Sequence, residues 1–484
     1  MNKELRRISI ATLAMFLTLF VSTSVIQVFA VDELRADPRN VRTLYASYSA
    51  ERGPILLAGQ PIAESVAVDS VFEFLRVYPE PELYAPVTGY FTLNQGNTGI
   101  EGAFNDFLTG TANEQFLDQL GALVTGQRPQ GAAVQLTIDP VVQQAAADAM
   151  GDLKGAVIAI EPATGRILAM VSTPSFDPNL LSSHSTTSVL EAYDQLLADP
   201  NDPLVNRTIA GDLYFPGSTF KLVVAAAAID SGAFASTDVF PNPPQLQLPL
   251  STRVITNSGG STCGGTPTVS IETALRLSCN IPFAELGLAV GQETIDRYAT
   301  AFGFGTTFEV PMAATPSTYP QDMDDAQLML SSFGQYDTRV TPLQMALISA
   351  AIANGGNLMQ PTLLDRIIAP DLSIVQQPEP VLVSQPITRT TAETLSRMMV
   401  DGVSNGVASN ARIEGVSVGG KTGTAENGGD RPYTLWFTGF APAENPQVAI
   451  AVVVEDGGGR GQDGSGNQIA APIAKRVFEA VLSR

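Results

Sequence analysis

Runs of apolar and alternating positions divide the chain into patterned segments separated by turn-rich ones. Ile8 to Val31 carry no charge over 24 residues and are mostly apolar. At ~1.5 Å per residue, a helix of that length crosses the ~30 Å hydrocarbon core of a bilayer. From Asp32 to about Gly131 the pattern is broken, and short stretches such as Tyr90-Phe91-Thr92-Leu93 read as strands among Pro-, Gly- and Asn-rich turns. Gly126 to Gly131 reads as a boundary. Ala133 to Ile138 then alternates like a strand, and Asp139-Pro140 looks like an N-cap followed by proline, opening a helix to about Met150. Gly155–Ile160 and Arg166–Val171, joined by Pro162-Ala163-Thr164-Gly165, predict a buried hairpin. Tyr433–Ala441 and Val448–Val454 predict two more strands, and about Ala471 to Leu482 a last helix. Strands at both ends with helices between them predict an α/β body whose sheet is assembled from distant parts of the chain. The division expected is a tail over 1–7, an anchor over 8–31, a smaller unit over 32–131 and the main body over 132–484.

Charge refines this reading. Lys3, Arg6 and Arg7 precede the apolar run while Asp32 and Glu33 follow it, which orients the N-terminus to the cytoplasm and the body outside. A cleaved signal peptide is the alternative, with Val28-Phe29-Ala30 as the cleavage site, but its apolar region is typically only ~7–15 residues, so a retained anchor is favoured. The net charge of −21 argues against a nucleic-acid partner, which needs a basic face. One histidine, His184, rules out a multi-histidine metal site within one chain and reads as an exposed loop residue. Only five of the 27 basic residues are lysines: Lys3, Lys154, Lys221, Lys421 and Lys475.

Two of these lysines fall in segments that carry chemistry. In Pro216-Gly217-Ser218-Thr219-Phe220-Lys221 a turn leads into Leu222–Ile229, apolar on every face and therefore a buried helix. Ser218 and Lys221, three apart in the first turn, share a face. A desolvated lysine favours its neutral form, and a neutral amine beside a hydroxyl is a base beside its nucleophile. Ser278-Cys279-Asn280 interrupts the amphipathic stretch Ile271–Leu286 and can point a hydroxyl and an amide into one pocket. In Gly419-Gly420-Lys421-Thr422-Gly423-Thr424, small residues admit a second backbone, and Lys421, Thr422 and Thr424 are expected to share one side of an edge strand suited to an extended peptide and its carboxylate.

The set Ser-x-x-Lys, Ser-x-Asn and Lys-Thr-Gly, in this order, resembles the penicillin-binding transpeptidases from about Ala133 onward. Asn206-Arg207, Thr341-Pro342-Leu343-Gln344, Ala353-Asn354-Gly355-Gly356 and Trp436–Pro442 resemble further family segments, and Arg52-Gly53-Pro54-Ile55 is similar to the start of the class B non-catalytic domain. The resemblance implies an α+β fold: a transpeptidase domain with a central antiparallel sheet flanked by helices, a smaller mixed N-terminal domain and one transmembrane helix. It implies a D,D-transpeptidase in which Ser218 attacks the penultimate D-Ala carbonyl and Lys221 takes its proton. Ser278 with Lys421 would protonate the leaving D-Ala. Asn280 would hold the acyl chain, and Thr422, Gly423 and Thr424 the carboxylate end, with the N–H groups of Ser218 and Thr424 as oxyanion hole. Stem peptides, β-lactams, the cytoplasmic membrane and a glycan polymerase of the shape, elongation, division and sporulation family are the implied partners. No cofactor or metal is implied. A D,D-carboxypeptidase, or a β-lactam sensor or scaffold of the same fold, remains open on these residues. In an oxidising compartment the only two cysteines, Cys263 in a Gly-rich loop and Cys279, are expected to form a disulfide, with Cys279 turned away from the cleft.

Overall fold

The computed structural model describes residues 2–29, 51–92, 95–115 and 130–484. An N-terminal helix, Asn2–Ser24, continues as a π-helical turn, Val25–Phe29. Its stretch Lys3–Gln27 is long and apolar enough to cross a membrane and is not buried by other described residues. The boundary expected over 126–131 lies largely outside the described residues.

The main sheet has five antiparallel strands. Their order is Gly419–Ala425, Thr434–Ala441, Val448–Val454, Gly155–Ile160, Ile167–Thr173. The hairpin and both C-terminal strands therefore form where their apolar runs predict them. Because successive side chains alternate, the sheet buries both faces. Ile158, Trp436, Phe440, Ala451 and Val453 face one core, which contains the Lys221–Asp230 and Pro342–Ala353 helices. Val157, Phe437, Ile450 and Val452 face a second core, closed by the Pro140–Met150 and Ala470–Leu482 helices. Asp139 caps the first of these, its carboxylate accepting from the N–H of Val141 and Val142. The Lys-Thr-Gly strand is left at one edge.

A second sheet of six strands draws on separate regions: Ile55–Leu57, Gln60–Ala67 and Phe74–Val77 join Ala133–Leu136 and then Leu364–Ile368 and Ile374–Gln376. Beside it, Glu101 is fully buried between Arg52 and Arg76, each at 2.6 Å, and accepts from Tyr78 as well.

Two expectations are corrected here. Tyr90–Thr92 is buried coil, not strand. Its backbone donors go to side chains instead of a ladder: Tyr90 N to Thr98 Oγ1, Phe91 N to Tyr78 Oη and Thr92 N to Asn97 Oδ1. Leu93 lies outside the described residues. His184 lies in a loop as expected but is half-buried rather than exposed, with Nε2 2.9 Å from the Phe74 carbonyl and its ring against Phe72.

Candidate active site

Pro216 and Gly217 turn the chain into a 3-10 turn, Gly217–Thr219, and only then into the α-helix Lys221–Asp230. Ser218 therefore sits on the tighter turn ahead of the α-helix, not in its first turn as the spacing suggests. Gly217 has φ +52° and Gly334 φ +77°. A Cβ on Gly334 would lie 1.9 Å from the Gly217 carbonyl, so the serine turn seats on a backbone only glycine allows. Thr219 Oγ1 donates to the Pro216 carbonyl at 2.6 Å, and Trp436 Nε1 to the Phe215 carbonyl at 3.0 Å. The first bond closes the turn on itself, and the second ties it to the Thr434–Ala441 strand, next to the edge. No hydrogen bond among the described residues engages the half-buried Ser218 hydroxyl, which faces a cleft of roughly 590 Å³.

The second motif breaks a helix. Ile271–Leu277 ends at Ser278, which adopts the left-handed conformation (φ 59°, ψ 38°), and a new helix runs Asn280–Val290. Such a conformation costs a non-glycine residue about 1–3 kcal/mol. It turns the Ser278 hydroxyl toward two lysines. Lys421 Nζ lies 2.7 Å from Ser278 Oγ and 2.8 Å from its neighbour carbonyl, Thr422 O. Lys221 Nζ lies 2.8 Å from Ser278 O, 2.8 Å from Asn280 Oδ1 and 3.5 Å from Ser278 Oγ.

Both amines are almost fully buried. Desolvation, followed by the nearby Lys421, holds Lys221 well below the usual ammonium range, and desolvation brings Lys421 down to about 7. Ser278 O and Asn280 Oδ1, both at 2.8 Å, take two N–H donors of Lys221, and the Ser278 hydroxyl at 3.5 Å is its third and longest contact; in the neutral form the amine keeps two N–H donors and one lone pair that can take a proton.

On the Gly419–Ala425 strand the expectation that Lys421, Thr422 and Thr424 share a side is corrected. Alternation puts Lys421 and Gly423 on one side, and a Cβ on Gly423 would meet Pro216 O and Thr219. Thr422 and Thr424 occupy the other side. Gly466 covers the strand closely: a Cβ there would lie 2.5 Å from Gly423 O, and its N–H is 3.5 Å from Thr424 Oγ1.

Ser218, Ser278, Asn280, Thr422, Gly423 and Thr424 thus line one cleft, with Lys221 and Lys421 reaching it beneath Ser278. Cys263 and Cys279 are bonded in the structure, Cα–Cα 5.7 Å, with Cys279 fully buried and outside the cleft lining. Residues the motifs do not flag complete the walls: Thr256 and Asn257 on one side, Ser465, Gly466 and Asn467 on another. Their sequence, rich in Asn, Ser and Gly, signals only turns.

The chain matches the family model described as the penicillin binding protein transpeptidase domain over residues 155–479, and that described as the penicillin binding protein A dimerisation domain over 52–134. A relative from Mycolicibacterium smegmatis, named peptidoglycan D,D-transpeptidase PbpA, is 43% identical over 491 aligned positions covering 100% of this chain and 99% of the relative. Among solved structures, penicillin-binding protein A from M. tuberculosis as a ceftriaxone acyl-enzyme complex superposes with a TM-score of 0.87 at 41% identity, covering 90% of this chain and 100% of that one. The same protein as a penicillin G acyl-enzyme complex gives 0.85 at 41% identity over the same shares. With the site geometry, a family model covering most of the chain and a relative aligned end to end, this chain belongs to the penicillin-binding protein transpeptidase family.

Proposed function

We propose that the chain is a serine D,D-transpeptidase that cross-links peptidoglycan stem peptides and is acylated by β-lactams. The observation that carries this is the convergence of two desolvated amines on one serine hydroxyl in a cleft that a second, unengaged serine also lines. In the reaction, Ser218 Oγ bonds to the penultimate D-Ala carbonyl carbon as Lys221 takes its proton through the free lone pair. The N–H groups of Ser218 and Thr424 hold the oxyanion. Collapse breaks the bond to the terminal D-Ala, whose nitrogen takes a proton from Ser278, resupplied from Lys421. Asn280 holds the acyl chain, and Thr422, Gly423 and Thr424 receive the terminal carboxylate. An amine of a second stem then displaces Ser218 by the reverse proton path.

Location and partners complete the reading. Residues 8–31 are assigned as a retained single-pass anchor, 1–7 as a cytoplasmic tail, 32–131 as a non-catalytic pedestal and 132–484 as the extracytoplasmic transpeptidase unit. Basic residues before the apolar run and acidic ones after it support this orientation. The reading extends to a glycan polymerase of the shape, elongation, division and sporulation family as the partner that would supply glycan strands. Mass spectrometry of products formed from a stem-peptide donor and an acceptor amine tests the activity. A cross-linked dimer is expected; a trimmed monomer alone would mean a carboxypeptidase.

A further inference from the structure

Asn280 sits at the start of an 11-residue helix, Asn280–Val290, yet the N-cap residue Cys279 supplies no side-chain cap. The missing cap comes from far along the chain. Asn257 Oδ1 accepts from Asn280 N at 2.9 Å and from Ile281 N at 3.0 Å. Both groups can only donate, so chemistry fixes which end of the amide faces them. Its other end, Nδ2, lies 2.9 Å from Asn242 Oδ1, 3.3 Å from Pro243 O and 3.4 Å from Ser261 O. Asn242 in turn donates to Cys263 O at 2.7 Å and Thr266 O at 2.8 Å, and accepts from Cys263 N at 3.2 Å. The two amides are 0% and 1% exposed, for Asn242 and Asn257 respectively. Next to Asn257, the Thr256 carbonyl accepts from Asn280 Nδ2 at 3.0 Å. That bond directs Asn280 Oδ1 toward Lys221 Nζ, 2.8 Å away.

We propose that Asn257, backed by Asn242, is a positioning residue for acylation: it caps the Asn280–Val290 helix from outside and so sets where Asn280 and Lys221 stand relative to Ser218. The inference rests on the roles proposed above for Lys221 and Asn280. A buried amide that satisfies two orphan N–H groups holds them more firmly than water does. A shift of ~1 Å in a reacting group slows catalysis by on the order of 100-fold.

Two substitutions in the full-length protein separate positioning from mere stabilisation, with the rate of labelling by fluorescent penicillin measured across pH. Asn257→Leu removes both sets of bonds and is expected to fold, by near-ultraviolet circular dichroism, while labelling ~100-fold more slowly. Asn257→Asp keeps the acceptor for Asn280 N and Ile281 N but turns an oxygen toward the oxygens of Asn242, Pro243 and Ser261. Those neighbours are uncharged. The ionisable groups of the cleft are Arg253, Glu426 and Tyr433 in its walls, with Lys221 and Lys421 behind Asn280 and Ser278. The two N–H donors on one oxygen favour ionisation, while the other oxygen faces three acceptors and can keep the bond to Asn242 only when protonated. Its rate relative to the parent is therefore expected to fall as pH rises from about 5 to about 8. Parental rates at every pH in the folded Leu variant, or parental rates at every pH in the Asp variant, overturn the proposal; if the Leu variant does not fold, the Asp variant alone decides. Ser218→Ala runs beside them. Undiminished labelling of that variant would refute the nucleophile assignment itself, a failure separate from that of Asn257.

Discussion

Lys221 and Lys421 do different work although both are buried amines on the same serine. Lys221 donates to two carbonyl oxygens at 2.8 Å, and in the proposed reaction it exchanges a proton, which a guanidinium cannot do. Lys221→Arg is therefore expected to lower the acylation rate by about 10²–10⁴-fold, the usual contribution of a general base, when followed by penicillin labelling. Near-parental labelling would reduce Lys221 to a source of charge. For Lys421 the cost of burial shows in stability. Its folded pKa, about 7, lies below the unfolded value near 10.4. The unfolded chain then binds more protons between those values, so stability is full above the unfolded pKa and is lost as pH falls toward 7, with no recovery below it. Lys421→Met is expected to raise the melting temperature at pH 7, to lose that advantage near pH 10.5, and to abolish acylation. A lower melting temperature than the parent at pH 7 would show that the bonds to Ser278 and Thr422 outweigh desolvation. Sequence spacing alone puts Ser218 near Lys221. It cannot put Lys421 on Ser278, because those residues are 143 apart and meet only when the edge strand packs beside the broken helix.

The broken helix itself depends on a covalent neighbour. Cys279, between Ser278 and Asn280, is tied to Cys263 across a separation of 16 residues. Closing such a loop is worth ~3 kcal/mol in the chain-entropy model. Reduction is expected to lower both the melting temperature and the acylation rate, while thiol titration of the unreduced, denatured protein should find no free thiol. Two free thiols per chain would remove the bridge from the account. Elements of strong period are legible in the sequence: the Gly155–Ile160 strand, the Pro140–Met150 helix with its Asp139 cap, and the Lys221–Asp230 helix, apolar from Leu222 to Ile229. Tyr90–Thr92 is misread because aromatic and β-branched residues favour strands only where a partner strand takes their N–H groups. Here Thr98, Tyr78 and Asn97 take them. The pair Asn242 and Asn257 leaves no trace in the pattern, since Asn among prolines (Pro241, Pro243, Pro244) or before Ser258-Gly259-Gly260 reads as a turn.

Across the whole chain, the main sheet joins Gly155–Thr173 to Gly419–Val454, nearly three hundred residues apart at their extremes, so the Lys-Thr-Gly edge strand is held by one continuous sheet. Which strands join is visible only in part from sequence. Apolar runs identify the strands, but the recruitment of Leu364–Ile368 and Ile374–Gln376 into the N-terminal sheet depends on pairing that periodicity does not encode. The Lys3–Gln27 helix gives the molecule its expected address. Membrane fractions should retain the full-length protein through salt and carbonate washes, and a mature form beginning at Val31 would show cleavage instead. The central claim is a covalent acyl-enzyme on Ser218. Its most direct measurement is peptide mapping by mass spectrometry after exposure to penicillin G. One penicilloyl adduct per chain is expected on the peptide that contains Ser218, and none in Ser218→Ala; an adduct on another residue, or an equal adduct in the variant, would contradict the account.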